Sequence, residues 1–306
     1  MGTYILKRIA SSIVTLWVII TITFILAHAI PGGPFDREKP IPPEVRKNIE
    51  EKYKLNDPLW MQYVDYIKNL VKLDLGPSFQ QRGTTVNDII ERGFPVSAQL
   101  GTVAVIFALI VGVLLGVSSA LNQGKWQDHV TMFISTLGVT IPAFVLATLL
   151  VYVFSQQLGL LPVFGWGQAK HFVLPTIALS GFSMAFIARL TRSSLLDVVR
   201  QDYIRTARAK GLSEASVIYK HALKNAILPV ITFLGPLVAG VLTGSFVIER
   251  IFTIPGLGRS FVDSINNRDY TLVLGVTVFF GAFLITCNLI VDIIYALVDP
   301  RIKLEG

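Results

Sequence analysis

Residues 93–124 read GFPVSAQLGTVAVIFALIVGVLLGVSSALNQG and contain no charged side chain. An α-helix needs about 20 apolar residues to cross about 30 Å of hydrocarbon, so this stretch is long enough to span a membrane. The rest of the chain has the same character, because 52% of its 306 residues are hydrophobic, 15% are charged and the mean hydropathy is +0.60. The sequence therefore predicts an all-α membrane protein and argues against a soluble enzyme.

Six apolar stretches are long enough to be transmembrane helices. The stretch quoted above supplies a span over about 98–121. We predict the other spans over 9–29, 130–156, 172–194, 225–248 and 271–297. The charge-free run 129–169 is long enough for two short spans, but residues 159–167 are rich in proline, glycine and tryptophan. We interpret those residues as a loop at the membrane surface.

The distribution of basic residues predicts that both termini face the cytoplasm. Short cytoplasmic segments of membrane proteins carry an excess of Lys and Arg. The segments on the side of the termini hold Lys7, Arg8, Lys125, Arg189, Arg192, Arg200, Arg205, Arg208, Lys210, Lys220, Lys224, Arg301 and Lys303. The short loops on the other side hold only Lys170, Arg250, Arg259 and Arg268.

The chain is expected to have three parts. These are an N-terminal segment with the first span (1–30), an external loop with short helices (31–97), and a five-span core (98–306) with a cytoplasmic loop at about 197–225. Within the external loop we predict helices over 42–54 and 59–73 and a turn over 77–85. The first span could instead be a secretory signal, but its apolar core exceeds the usual length of about 7–15 residues.

The sequence supports no cofactor or metal site in this chain. It has no P-loop, its single cysteine, Cys287, excludes a cysteine-based zinc site, and its histidines lack metal-binding spacing. The ionisable residues expected inside the spans are Arg189, Arg192 and Asp292, all near the cytoplasmic edge, where arginine side chains usually extend to the headgroups. An enzyme is therefore not expected, and a proton-driven transporter is disfavoured.

Small residues predict where the spans pack closely. Gly112 and Gly116, and likewise Gly240 and Gly244, are four residues apart, which places both glycines of a pair on one helix face. Asn288 and Asp292 are also one turn apart in the last span, and we interpret them as packing residues rather than substrate contacts.

The cytoplasmic loop is predicted to be a helix-turn-helix. Residues 205–210 are good helix formers, Gly211 is suited to end a helix, and Ser213 is suited to begin the next one. The second helix would place Ala215, Ile218 and Ala222 on one side. Such a loop could touch anionic lipid, or it could be a docking element for a cytoplasmic partner.

The residues Ala207 and Gly211, followed by HALKNA at 221–226, resemble the EAA loop of permease subunits of binding-protein-dependent ABC importers, in its dipeptide/oligopeptide/nickel form. Arg205 and Thr206 stand where the sugar-importer loops usually have Glu and Ala, a departure typical of the peptide branch. Further stretches match this branch in order. They are PGGP at 31–34, LDLGPS at 73–78, FTIPGLGR at 252–259, RDY at 268–270, NLIVD at 288–292 and DPR at 299–301.

The resemblance implies a type I ABC importer permease fold in the prokaryotic cytoplasmic membrane. The chain would form half of the pore of an ATP-driven importer for di- or oligopeptides. Its implied partners are a second homologous permease subunit, two cytoplasmic ATPase subunits that bind ATP and Mg, an extracytoplasmic substrate-binding protein and membrane lipid, with no nucleic acid. Nickel chelates or oligosaccharides are alternative substrates, and an ATPase-independent channel or secondary carrier is the alternative of a different class.

The resemblance also implies two sets of site residues. The ATPase-coupling loop would use Arg205, Thr206, Ala207, Arg208, Lys210, Gly211, Leu212, Ser213, His221 and Asn225. Contact with the binding protein would use Asp74, Gly76, Pro255, Gly256, Arg259 and Asp269.

Overall fold

A computed structural model of the protein describes residues 2–29, 56–81, 83–242 and 245–298, with the backbone alone for residues 2–5 and 291–298. The described residues are mostly helical. The α-helices are α1 Gly2–Ala29, α2 Leu59–Val71, α3 Val86–Leu121, α4 Trp126–Thr140, α5 Ala143–Leu150, α6 Ala169–Val198, α7 Asp202–Ala209, α8 Glu214–Ser216, α9 Leu223–Ala226, α10 Leu228–Leu242, α11 Phe246–Ile251, α12 Leu257–Asn266 and α13 Tyr270–Val298. Two π-helices, Val151–Gln157 and Val217–Ala222, extend α5 and α8.

Four of the described helices are long and apolar enough to cross a membrane. They are α1 over Leu6–Ala29, α3, α6, and α13 over Tyr270–Ile290. Two bent pairs also pass when each is taken as one span, which raises the number to as many as six. The bend is 109° between Trp126–Thr140 and Ala143–Gln157, and 49° between Glu214–Ala226 and Leu228–Leu242.

The predicted third span, 130–156, is broken at Pro142 rather than continuous. Proline has no N–H to donate to the preceding turn, and it drives the residue before it out of the helical region. Ile141 accordingly has extended backbone angles, and a new helix begins after Pro142. Residues 158–168 are irregular, which confirms the predicted loop.

Other element boundaries also differ from the sequence prediction. The second long helix begins at Val86 instead of near residue 98. The helix in the predicted fifth span ends at Leu242, and Ser245 caps a separate short helix, α11. The predicted helix over 59–73 is confirmed as α2, whereas the one predicted over 42–54 lies outside the described residues.

The chain divides into two compact units. The first contains residues up to Val96 and residues 255–289, and the second contains residues 97–254. The core of the first unit joins the start of α3 to α12 and α13 through Val86, Ile89, Ile90, Leu257, Leu272 and Val276. In the second unit, Ala108 on α3 packs with Ile187 on α6 and with Val230 and Leu237 on α10.

Glycines set the close approach of α3 to α6 in the second unit. A Cβ atom on Gly112 would lie 2.8 Å from the Met184 carbonyl oxygen, and one on Gly116 would lie 2.6 Å from that of Ala188. Gly101 meets α10 and Gly138 meets Gly181 with similar closeness, although the sequence analysis did not select them.

The other predicted packing residues behave differently from Gly112 and Gly116. A Cβ on Gly240 would meet nothing within 4 Å among the described residues, so the expected close approach is not seen in the part of the chain that the structure describes. Gly244 lies outside the described residues, and so does the side chain of Asp292. Asn288 is half-buried on α13 and lines a small polar cavity with Arg8, Ser11 and Ser12.

Candidate functional site

The predicted helix-turn-helix lies at residues 202–226, which we call the coupling loop. Its first helix, α7, ends at Ala209, and Gly211 then adopts a left-handed backbone with φ of +76°. The Ser213 side chain accepts a hydrogen bond from the Ser216 N–H and caps the second helical segment. Gly211 is suited to this turn because L-residues with a side chain are disfavoured at positive φ.

A hydrophobic cluster holds the coupling loop against the spanning helices of its own unit. The cluster joins the ends of α3 and α6 to both helical segments of the loop through small and branched side chains. Its buried members are Val117, Ala120, Leu195, Ile204, Ala207, Val217, Ala222 and Ala226. The loop is therefore in close-packed contact with both of these helices.

The residues selected from the sequence divide between this cluster and the surface. Ala207, which we expected at a close contact within the loop, is buried against the chain itself. Ala215, expected on the packed side of the second helix, is exposed, and Val217 is buried in its place. The other selected loop residues are exposed, namely Arg205, Thr206, Arg208, Lys210, Gly211, Leu212, Ser213, His221 and Asn225.

The exposed side of the loop combines positive charge with large apolar side chains. Tyr203, Leu212 and Tyr219 are 42%, 41% and 61% exposed, although such residues normally contribute to a core or an interface. We call this surface the outer face of the coupling loop. The sequence analysis missed Tyr203 and Tyr219, and the signal that could have found them is an aromatic residue within an otherwise polar, basic segment.

Polar contacts fix the two helical segments of the loop relative to each other. Arg208 Nε lies 2.9 Å from Glu214 Oε1, which links the end of α7 to the start of α8 across the turn. Asn225 Nδ2 donates to the Tyr203 hydroxyl at 2.7 Å. These contacts are exposed, so their role is to define geometry rather than to supply much stability.

A cleft of about 470 Å³ lies beside the loop. Leu121 and Gln123 at the end of α3 form one part of its wall, and Arg208, Glu214 and Tyr219 of the loop form another. The cleft therefore adjoins the outer face and is lined in part by the same side chains.

An ion pair lies near the base of the coupling loop. Arg192 on α6 contacts both carboxylate oxygens of Asp128, with each N···O distance 2.7 Å. Ser119 Oγ and the Gly124 N–H also donate to this carboxylate. Arg192 was expected to extend towards the headgroups; the buried carboxylate of Asp128 explains why it does not. Sequence spacing could not show that residues 64 positions apart would meet.

A second polar cluster, in the first unit, is centred on Asp269, which is 1% exposed. Its carboxylate accepts from Ser78 Oγ and from the N–H groups of Phe79 and Gln80. It also accepts from Thr271 Oγ1 and the Leu272 N–H at the start of α13. Asp269 therefore fastens residues 78–80 to the beginning of that helix.

The other residues selected for contact with a binding protein are spread over two turns. Asp74 is exposed and accepts from the N–H of Gly76, which has a φ of +85°. Pro255 is exposed, Gly256 is buried at the start of α12, and Arg259 lies 3.7 Å from Asp263 on that helix.

Glu249, like Asp128, is a buried carboxylate that the sequence analysis missed. Glu249 on α11 is fully buried and accepts a hydrogen bond from Ser97 Oγ at 2.8 Å. In the sequence Glu249 is followed by Arg250, and a charged pair of this kind is typical of the polar end of a span rather than of a buried site. Among the described residues, no group of three or more His, Cys, Asp or Glu side chains is placed to hold a metal ion.

Two family models together match most of the chain. Residues 112–304 match the model described as "Binding-protein-dependent transport system inner membrane component". Residues 1–101 match the model for the N-terminal part of such membrane components.

Curated relatives match the chain from end to end. The dipeptide transport system permease protein DppB of Bacillus subtilis is 51% identical over 305 residues, covering 100% of this chain and 99% of the relative. The oligopeptide transport system permease proteins OppB of Haemophilus influenzae and Salmonella typhimurium are each 48% identical over 302 residues, covering 98% of this chain and 99% of theirs.

Solved structures share the fold at low sequence identity. An amino acid ABC transporter crystallised with histidines aligns with a TM-score of 0.55 and 18% identity, over 68% of this chain and 93% of that chain. The MetNI methionine ABC transporter in an inward-facing conformation aligns with a TM-score of 0.51 and 17% identity, over 67% of this chain and 96% of that chain.

Proposed function

The chain belongs to the family of inner membrane components of binding-protein-dependent transport systems, and from this premise we propose that it is the permease subunit of an ATP-driven importer for di- or oligopeptides. The observation that carries the proposal is the coupling loop. It exposes a basic and aromatic outer face, and a buried cluster anchors it to α3 and α6. Peptides are proposed because the relatives that match the full length are dipeptide and oligopeptide permeases.

The chain would work with other subunits. Two cytoplasmic ATPase subunits, which bind ATP and Mg, would dock on the outer face of the coupling loop. A second homologous permease, a different chain, would complete the pore, and an extracytoplasmic binding protein would deliver the peptide. The chain itself would hydrolyse no ATP, and its role would be to convert movement of the ATPases into opening of the pore.

The contacts of α7 suggest how that movement would be transmitted. A push on the outer face moves α7, whose buried Ile204 and Ala207 lie in one cluster with Val117 on α3 and Leu195 on α6. Gly211 sets the angle between the two halves of the loop. A contact network of this kind can carry coupling only if the helices have two stable arrangements, which variants at the turn can test.

The proposed topology has six spans with both termini in the cytoplasm. The bent pair at Pro142 would count as one span, and α10 would belong to the fifth span over about 225–248, which leaves the coupling loop outside the membrane. The basic residues Arg205, Arg208 and Lys210 of the coupling loop would then face the cytoplasm, as the positive-inside rule requires.

The test is transport by the reconstituted complex. Vesicles with the complete importer, the binding protein and internal ATP should accumulate a labelled peptide, whereas vesicles with this chain alone should not. Accumulation by the chain alone would contradict the proposal, because uptake would then proceed without a partner ATPase.

The docking face can be located by cross-linking. In a Cys287→Ser background, Leu212→Cys should cross-link to an ATPase subunit in the assembled importer. Leu160→Cys is the matched control, since Leu160 is also an exposed leucine but lies in the loop after α5, proposed for the other side of the membrane. Cross-links from position 160 and none from position 212 would reverse the proposed topology.

A further inference from the structure

Helix α2 carries an exposed apolar stripe beside the face that packs on its own unit. At about 100° per residue, Trp60, Val64 and Val71 project within about 40° of one another. They are 65%, 39% and 80% exposed. Tyr63 and Tyr66 project to the adjoining side and join the cluster that contains Phe24 and Leu274.

The packed side of α2 is attached near the ends of two spanning helices. The Tyr63 hydroxyl lies 2.7 Å from Thr21 Oγ1 on α1, and its ring lies 5.2 Å from that of Phe24. Leu274, which shares this cluster, is in the second turn of α13. Burial raises the pKa of the Tyr66 hydroxyl, which reflects how closely this side is covered.

The attachment fixes the depth of α2. Thr21 precedes Ala29, where the sequence predicts the first span to end, by eight residues, which is about 12 Å at 1.5 Å per residue, and Phe24 is about 8 Å from that position. Amphipathic helices at a membrane surface bury their apolar face about 5–10 Å into the boundary of headgroups and acyl chains. The contacts with α1 thus hold α2 at this depth.

The third side of α2 is mostly polar. Gln62, Asp65, Lys68 and Asn69 project opposite its apolar sides together with Met61, and Lys72 follows directly after the end of the helix. Lys68 and Lys72 lie next to the exposed stripe, where their stems can cover apolar surface while the ammonium groups reach headgroups. One side thus packs on protein, one is apolar and exposed among the described residues, and one is suited to water.

We propose that α2 is an interfacial helix, with Trp60, Val64 and Val71 inserted among the lipids of the leaflet at the Ala29 end of α1. Lipid is favoured over a protein partner for two reasons. Helix α1, to which α2 is attached, also exposes the large apolar side chains of Ile22, Ile25 and Leu26 near the same end. Tryptophan, moreover, is typical of the membrane interface.

The test uses a photoreactive benzoylphenylalanine placed on α2 in the complete importer, reconstituted in phosphatidylethanolamine and phosphatidylglycerol vesicles. Positions 60 and 64 report the stripe, and positions 65 and 69 are matched controls on the polar side of the same helix. Position 25, exposed on the spanning helix α1, is the positive control for lipid. Adducts are identified by mass spectrometry.

We expect several-fold more lipid adduct at positions 60 and 64 than at 65 and 69. Adducts from 60 and 64 to the binding protein or to the second permease would overturn the inference. So would the absence of lipid adducts there when position 25 forms them. The inference rests on the proposal that the chain is a membrane permease, but not on its proposed substrate. Because the cross-linking needs no transport, a failure of this inference is distinguishable from a failure of peptide uptake.

Discussion

Arg192 on α6 binds Asp128 in the first turn of α4 through two parallel hydrogen bonds, from Nε to Oδ1 and from Nη2 to Oδ2. Ser119 and Gly124 bind the same carboxylate, so the end of α3, the turn after it and α6 meet at one side chain. Leu195, three residues beyond Arg192, belongs to the cluster beneath the coupling loop. The ion pair therefore lies next to the surface on which that loop packs.

Removing one partner of this pair should destabilise the protein. We expect Asp128→Ala to lower the free energy of unfolding by about 3 kcal/mol, the low end of the range of about 3–5 kcal/mol for a buried pair, because the Arg192 side chain remains 23% exposed. Arg192→Lys should also destabilise, since lysine keeps the charge but loses the bidentate geometry. The measurement is the thermal unfolding midpoint of the importer in nanodiscs.

The control for the ion pair is Asp202→Ala. Asp202 lies 3.7 Å from Arg205, but its side chain is 97% exposed, and exposed pairs contribute about 0–1 kcal/mol. Equal thermal unfolding midpoints for Asp128→Ala and Asp202→Ala would mean that the buried pair contributes no more to stability than the exposed one.

Close packing of α3 on α6 gives a second prediction. In Gly116→Ala the new Cβ would lie 2.6 Å from both the Ala188 carbonyl oxygen and the Thr191 Cβ, so the helices must move apart. Overpacking of this kind costs about 1–3 kcal/mol. We expect a lower unfolding midpoint and a smaller yield of folded protein, as measured by size-exclusion chromatography in detergent.

Gly240→Ala is the matched control for this substitution. It adds the same methyl group to α10, but none of the described residues lies within 4 Å of the new Cβ. Alanine is also the better helix former by about 1 kcal/mol, so the folded chain should be at least as stable as the wild type. A midpoint as low as that of Gly116→Ala would contradict the packing seen around these two residues.

The sequence was a good guide where local chemistry decides the structure. Gly211 and Ser213 mark the turn and the cap of the coupling loop because their backbone preferences act over a few residues. The length of α2 and the loop after α5 were predictable for the same reason. The hydropathy pattern located most of the spans but missed the break at Pro142, since a proline in an apolar run leaves the mean hydropathy almost unchanged.

The sequence was a poor guide where distant residues meet. Asp128 pairs with Arg192, and Asp269 gathers donors from about 190 residues earlier in the chain. Glu249 is buried although it stands in a charged dipeptide. Such pairs leave no periodic signal, because burial depends on which helices become neighbours. Ala207 is likewise buried by Val117 and Leu195, which come from distant parts of the sequence.

The carboxylate of Asp269 should control the order of residues 72–85. In Asp269→Ala the donors on Ser78, Phe79 and Thr271 lose a charged acceptor, and hydrogen bonds to charged groups contribute about 1.5–3 kcal/mol each. We expect limited proteolysis to cleave this segment at a protease concentration that leaves the wild type intact. Asp74→Asn, a change at an exposed carboxyl nearby, should not alter the cleavage pattern, and equal cleavage of both variants would refute this role.

The turn at Gly211 gives the sharpest prediction about coupling. Valine at a φ of +76° is strained by about 1–2 kcal/mol, although nothing lies within 4 Å of the new Cβ. The strain should be relieved by changing the angle between the two halves of the coupling loop. We therefore expect Gly211→Val to insert into the membrane and assemble normally, and ATP hydrolysis to continue. Peptide uptake should fall about tenfold, which is the change in rate that corresponds to about 1.4 kcal/mol of activation free energy.

Gly83→Val is the control that distinguishes a loss of coupling from a general effect of backbone strain. Gly83 also has a φ of +76° with nothing within 4 Å of its Cβ position, but it lies in the first unit, whereas the coupling loop belongs to the second. The two substitutions should therefore introduce similar strain at different places. Uptake should stay near the wild-type rate in Gly83→Val, as measured in the same vesicles. An equal loss of uptake in both variants would indicate a general folding defect. Unchanged uptake together with unchanged ATP turnover in Gly211→Val would mean that this turn does not transmit the motion of the ATPases.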